Sequence, residues 1–152
     1  MGRGGRRARA AVALAAGALP FAVGVGTASA DDFFIQFFSK DHTFTAGDGS
    51  TVTCTVSGES SLKRAPGEEV FDGEALTRAS GEHPSCGVTF VSVDVTYVDP
   101  SGRQKHTGAD SIDGDVRWFV DDDVAHSFRV VHRVSFDDCR ANCDLSFTTQ
   151  PK

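Results

Sequence analysis

The chain has 152 residues, 15 Lys+Arg, 21 Asp+Glu and a formal net charge of −6 at pH 7. Residues 1–30 take four arginines and no acid, which leaves 11 of the 15 bases and all 21 acids in residues 31–152, a net charge of −10. That acidity excludes nucleic acid and anionic membrane as partners, because no basic patch is present to release counterions, and about 120 residues leave room for one domain.

The N-terminal segment opens with Arg3, Arg6, Arg7 and Arg9, continues through the apolar stretch Ala10 to Val25, and reaches Ala28-Ser29-Ala30 before the polar Asp31-Asp32. A charged region, an apolar region and a small-x-small site in that order predict a secretory signal peptide over residues 1–30, cleaved after Ala30. The apolar run, about 16 residues and broken by Gly17, Pro20 and Gly24, is shorter than the roughly 20 that span a bilayer. The expectation is a secreted protein without a membrane anchor, in which residues 31–152 form a single β-domain.

Within that domain the apolar period is two. Phe33-Phe34-Ile35-Gln36-Phe37-Phe38 is apolar at nearly every position and predicts an early strand buried on both faces. Val52, Cys54 and Val56 alternate with threonines. Gly58 to Gly67 reads as a polar loop, and residues 69–78 give a weaker strand signal. Between residues 86 and 98, Val88 and Phe90 take one parity and Val91, Val93, Val95 and Tyr97 the other, which predicts a β-bulge near Phe90. Asp99-Pro100-Ser101-Gly102 has the composition of a type I turn and predicts a hairpin between residues 91–98 and 103–110. Residues 116–120 are a further weak strand. Phe128, Val130, His132, Val134 and Phe136 share one face, and Leu145, Phe147 and Thr149 end the pattern. The fold class is all-β: an antiparallel immunoglobulin-like β-sandwich of about seven strands. It differs from a regular immunoglobulin domain, because the single tryptophan, Trp118, lies far from the position such a domain requires.

Cys54, Cys86, Cys139 and Cys143 form an even set in an exported chain, which predicts two disulfides. Three pairings are possible. The short Cys139-Arg-Ala-Asn-Cys143 spacing favours local closure there, leaving Cys54 for Cys86. A zinc or redox site is disfavoured, because Cys-x3-Cys has neither the spacing of a redox motif nor a following His.

The exported leader, acidic domain and strand pattern resemble small exported actinobacterial β-sandwich proteins. Phe136 to Cys143 is similar in layout to the C-terminal disulfide of neocarzinostatin-type apoproteins. Those close the bridge over four intervening residues rather than three, and their first disulfide is short where Cys54 and Cys86 have 31 residues between them. The resemblance therefore implies the architecture and carries no chromophore-binding residue to this chain.

Motifs of chemistry are sparse. Ser60-Ser61-Leu62-Lys63 fits Ser-x-x-Lys, but the companion elements of penicillin-interacting enzymes are missing. His126 and His132 lie about 20 Å apart on an extended strand and cannot share a metal; His132, on the apolar face, reads as a hydrogen-bonded core residue. Asp110, Asp113, Asp115 and Asp121-Asp122-Asp123 raise calcium without the spacing of an EF-hand. No catalytic, cofactor or metal residue is assigned. Leu62, Lys63, Arg64 and Ala65, with Pro66, are the one basic concentration and form the candidate interaction loop. The functional expectation is a non-enzymatic binding module for a protein or small molecule. The alternative is a secreted protease inhibitor presenting the Leu62–Pro66 loop.

Overall fold

The computed structural model describes residues 32–152; the leader expected at residues 1–30 and its cleavage site lie outside the described residues. Nine strands are present among the described residues: β1 (Asp32–Ala46), β2 (Thr51–Arg64), β3 (Phe71–Ser80), β4 (Val88–Val98), β5 (Gln104–Ser111), β6 (Asp115–Val124), β7 (His126–Phe136), β8 (Cys139–Ala141) and β9 (Asp144–Thr149). The count is nine rather than about seven. The additional strands include the three-residue β8, too short to carry a readable alternation.

The strands form two antiparallel sheets, ordered β6-β3-β2-β1-β8 and β5-β4-β7-β9. The pairings β3–β6, β4–β7 and β7–β9 stand where an immunoglobulin-like sandwich pairs its B–E, C–F and F–G strands, with β2 in the place of strand A. β1 extends the first sheet beyond that frame, antiparallel to β2 from Asp32↔Arg64 to Thr45↔Thr51.

Local sequence accounts for the connections. β4 and β5 form the expected hairpin, closed by Gly102 N–H to Asp99 O and Asp99 N–H to Arg103 O, each 2.9 Å, with Gly102 at φ +79°. The Asp99 carboxylate accepts from the Ser101 hydroxyl and from the Ser101 and Arg103 amides, and the Ser101 bond leads the effects that hold its pKa down at about 2. The β4–β7 register shifts between Val88 and Phe90, which is the bulge that the phase change predicts.

The core is built by the inward residues of both sheets, including Val56, Val91, Val93, Val95, Phe128, Val130 and Val134. His132 is fully buried among them. The Thr77 hydroxyl of β3 donates to the Ser92 carbonyl of β4 at 3.1 Å. Its oxygen then accepts from His132 Nδ1–H at 2.8 Å, which leaves Nε2 to accept from the Thr149 hydroxyl of β9 at 2.7 Å. The ring also stacks on Phe147, centroids 4.7 Å apart. A Cβ on Gly58 would lie 2.6 Å from Phe147 and 2.8 Å from His132 Nδ1, so the strand crossing this group has no side chain there. Burial lowers the His132 pKa to about 4 against a smaller opposing bond with the Leu76 backbone.

Both disulfides pair as the spacing favours. Cys54–Cys86 ties β2 to the 3-10 turn Pro84–Cys86 ahead of β4, and Cys139–Cys143 closes the short loop of β8. Replacing Cys54 and Cys86 together with Ala should cost about 3–4 kcal/mol, and replacing Cys139 and Cys143 about 2, since the second loop is far shorter; urea unfolding midpoints would measure both. For His132, the unfolded chain takes a proton below pH 6.5 that the folded chain refuses until about pH 4. Stability should therefore fall as pH drops from 6.5 to 4, by about 3 kcal/mol at the limit, and level off below. In thermal melts His132→Gln should flatten that part of the pH profile.

Candidate interaction surface

The surface with the clearest chemical character is the outer margin of β1. Successive side chains of a strand point to opposite faces. Phe34 and Phe38 turn inward, where Phe34 packs against Phe71 with centroids 6.0 Å apart and Phe38 stacks on Phe147 at 3.8 Å. Phe33, Ile35 and Phe37 turn outward and remain 56%, 51% and 63% exposed. The expected burial of residues 33–38 on both faces is thereby corrected. The second sheet covers one face of β1 only, and nothing among the described residues covers the other.

On the outer face the neighbours across the β1–β2 ladder are Lys63 beside Phe33, Ser61 beside Ile35 and Glu59 beside Phe37. An apolar stripe thus lies against a polar strip, the margin composition of contact surfaces. Further along the same face the residues become hydroxylic. Thr45 faces Thr51, Thr43 faces Thr53 with their hydroxyls 2.9 Å apart, and the Thr55 hydroxyl donates to Asp41 at 2.9 Å. Asp41, these β2 threonines, Val52 and Gly81 to Pro84 line an open groove of about 680 Å³.

The backbone of β1 is also unpaired over much of its length. β8 pairs only with Thr45 and Ala46, and the Asn142 side-chain amide donates to the Thr43 carbonyl at 2.6 Å. Over Asp32–Asp41 no strand among the described residues pairs with β1 on the side away from β2.

The candidate interaction loop has a different local structure from the one expected. Gly58 to Arg64 belong to β2, with Gly58 to Lys63 held between β1 and β3, and only Ala65 to Gly67 turn. Leu62 is 7% exposed and faces Phe34 and Gly73 across the ladders. Lys63 faces Phe33 and Asp72. Arg64 pairs with Asp32, its Nε 3.1 Å from the carboxylate, and its guanidinium lies 4.6 Å over the Phe71 ring. Ala65 is exposed at the turn, where its carbonyl accepts from Glu68 N–H at 3.1 Å. The polar reading failed because Gly58 lies beneath Phe147 and His132, where a side chain has no room, and Ser60 is fully buried beside it.

The acidic run of β6 divides. Asp121 and Asp122 meet Asp72 of β3, with one oxygen from each within 4.8 Å of the others. Asp72 also accepts from Asp122 N–H at 2.9 Å, and its hydrogen bond and negative charge raise the Asp121 pKa. These three carboxylates are the described residues that could hold a hard cation. Asp123 instead accepts from the Tyr97 hydroxyl at 2.6 Å, and burial together with that bond raises the Tyr97 pKa to about 12. Asp115 lies 3.9 Å from Arg78, and Asp110 and Asp113 stand outside the cluster. Asp72 was missed in the sequence because its partners are 49 and 50 positions away, joined only by the β3–β6 pairing.

Comparison with protein-family models, with curated proteins and with solved structures returns no match, so the functional reading rests on these residues alone.

Proposed function

We propose that the chain is an exported, non-catalytic binding module that meets its partner through the β1 margin of the first sheet. The observation that carries the reading is the outward row Phe33, Ile35 and Phe37, three large apolar side chains left in water by an acidic domain. The absence of catalysis is part of the proposal; in its support, both nitrogens of His132 are engaged inside the core. Export is supported by two disulfides, which persist in oxidising compartments, and by the composition of residues 1–30. The protease-inhibitor alternative has weaker support, since Leu62 and Lys63 are paired on both sides, Arg64 is paired with β1, and Leu62 is buried. A segment so held offers a protease no extended backbone to grip.

Two measurements test this. Mass spectrometry of culture supernatant should find a chain beginning at Asp31; recovery only as full-length protein in the membrane fraction would remove the export element. An anilinonaphthalene sulfonate dye should bind the folded protein, and Phe37→Ser or Ile35→Ser should abolish the fluorescence gain while changing stability by no more than about 0.5 kcal/mol. Unchanged dye binding in both variants would refute the β1 margin as the contact surface, and stoichiometric inhibition of trypsin would restore the alternative.

A further inference from the structure

Every sheet edge offers unpaired backbone donors and acceptors, and edges left long, flat and apolar pair with other chains. Three of the edges in this sandwich are guarded. β6 carries Asp121-Asp122-Asp123, a register shift opposite Phe71–Gly73 and a positive φ of 48° at Asp122. β5 has no large apolar side chain and carries Lys105 and Asp110. β9 is six residues long, begins with Asp144 and is followed by Pro151. β1 has none of these devices between Phe33 and Ser39. From Phe33 to Ser39 it has no charge at all, in a domain of net charge −10.

We propose that this edge pairs with the same edge of a second copy of the chain, antiparallel and two-fold symmetric about Gln36. The proposal rests on the reading of the β1 margin as the contact surface and names its occupant. In this register Gln36 meets Gln36, Ile35 meets Phe37, Phe34 meets Phe38, and Asp32 meets Lys40, each unlike pair occurring twice by symmetry. Phe33 meets Ser39, the one pair unmatched in polarity; the other pairs match, and the only charges meet their opposites. Centring one residue later sets Lys40 against Phe34 and Asp41 against Phe33; centring one residue earlier sets Asp32 against Phe38. The span from Asp32 to Lys40 also fits inside the open stretch, which ends where Asn142 takes the Thr43 carbonyl.

The structure leaves the required groups in place. Lys40 is exposed, and among the described residues it forms no ion pair. Asp32 is held at the rim by Arg64, so its position is set before any partner arrives. Gln150 N–H donates to the Gln36 side-chain oxygen, which fixes that side chain and leaves its backbone to the ladder. Pairing would join two five-stranded sheets into one continuous sheet. It would gather Ile35 and Phe37 of both copies into a single apolar cluster on the outer face.

The test is sedimentation equilibrium of the purified, disulfide-intact protein. A monomer–dimer equilibrium is expected. Lys40→Asp, which sets like charges opposite Asp32, should weaken the dimer about tenfold, and Asp32→Lys combined with Lys40→Asp should restore it. Melting curves of each variant, taken alongside, should match the parent and so separate loss of pairing from loss of folding. A protein that stays monomeric at its highest soluble concentration overturns the proposal, as does a dimer indifferent to Lys40→Asp. If such a monomer still binds the dye through Phe37, self-pairing falls and the binding-module reading stands.

Discussion

One buried imidazole sets the terms for the rest of this sandwich. His132 joins Thr77 of the first sheet to Thr149 of the second, and Thr77 in turn holds the Ser92 carbonyl. Each acceptor along this chain has a single donor, so the arrangement permits one tautomer and one relative placement of β3, β7 and β9. Packing of valines alone would tolerate small slips between the sheets; a satisfied polar chain in a low-dielectric core does not. The ring must also stay neutral, because a charged imidazole here would have no counter-charge to offset its lost hydration.

The consequence spreads into β2. The ring and Phe147 occupy the space in which a side chain of the opposing strand would sit, so residue 58 is Gly. Ser60 follows, fully buried, its hydroxyl without a hydrogen-bond partner. A central strand of the first sheet therefore carries Gly-Glu-Ser-Ser, a composition that signals a loop. What compensates is pairing on both sides, with β1 and with β3, so that context overrides a poor local propensity.

Much of the fold was legible in the sequence because its cause was local. Alternation in β7 and in residues 52–56, the change of phase at Phe90, the Asp99–Gly102 turn and the short Cys139–Cys143 spacing each depend on residues within a few positions of one another. The features that were not legible depend on distant chain. The strand character of Gly58 to Arg64 needs His132 and Phe147 to explain it. The meeting of Asp72 with Asp121 and Asp122 needs the β3–β6 register. The exposure of Phe33, Ile35 and Phe37 needs the knowledge that β1 lies outermost, with a second layer on one face alone; six apolar-rich residues in a row look the same whether one face or both are covered. The candidate surface was therefore visible as composition and invisible as geometry.

That geometry also lets one strand serve two purposes. The aromatic even positions of β1 anchor it, with Phe44 and His42 stacked with Phe136 at centroid distances of 4.6 and 5.7 Å and Phe38 lying on Phe147. The odd positions from Phe33 to Phe37 stay more than half exposed beside the polar strip of β2. Because the two sets alternate, the anchoring of the strand and the display of its apolar row do not compete for the same side chains. The inward phenylalanines hold the edge straight and fixed in register against β2, which is the state in which an unpaired backbone is most able to accept another strand. A flexible N-terminal arm with the same outward residues would have to lose its conformational entropy on contact; an arm already zipped to β2 has lost it during folding. The anchoring of β1 and the display of its apolar row thus come from the same alternation, read on opposite faces of one sheet.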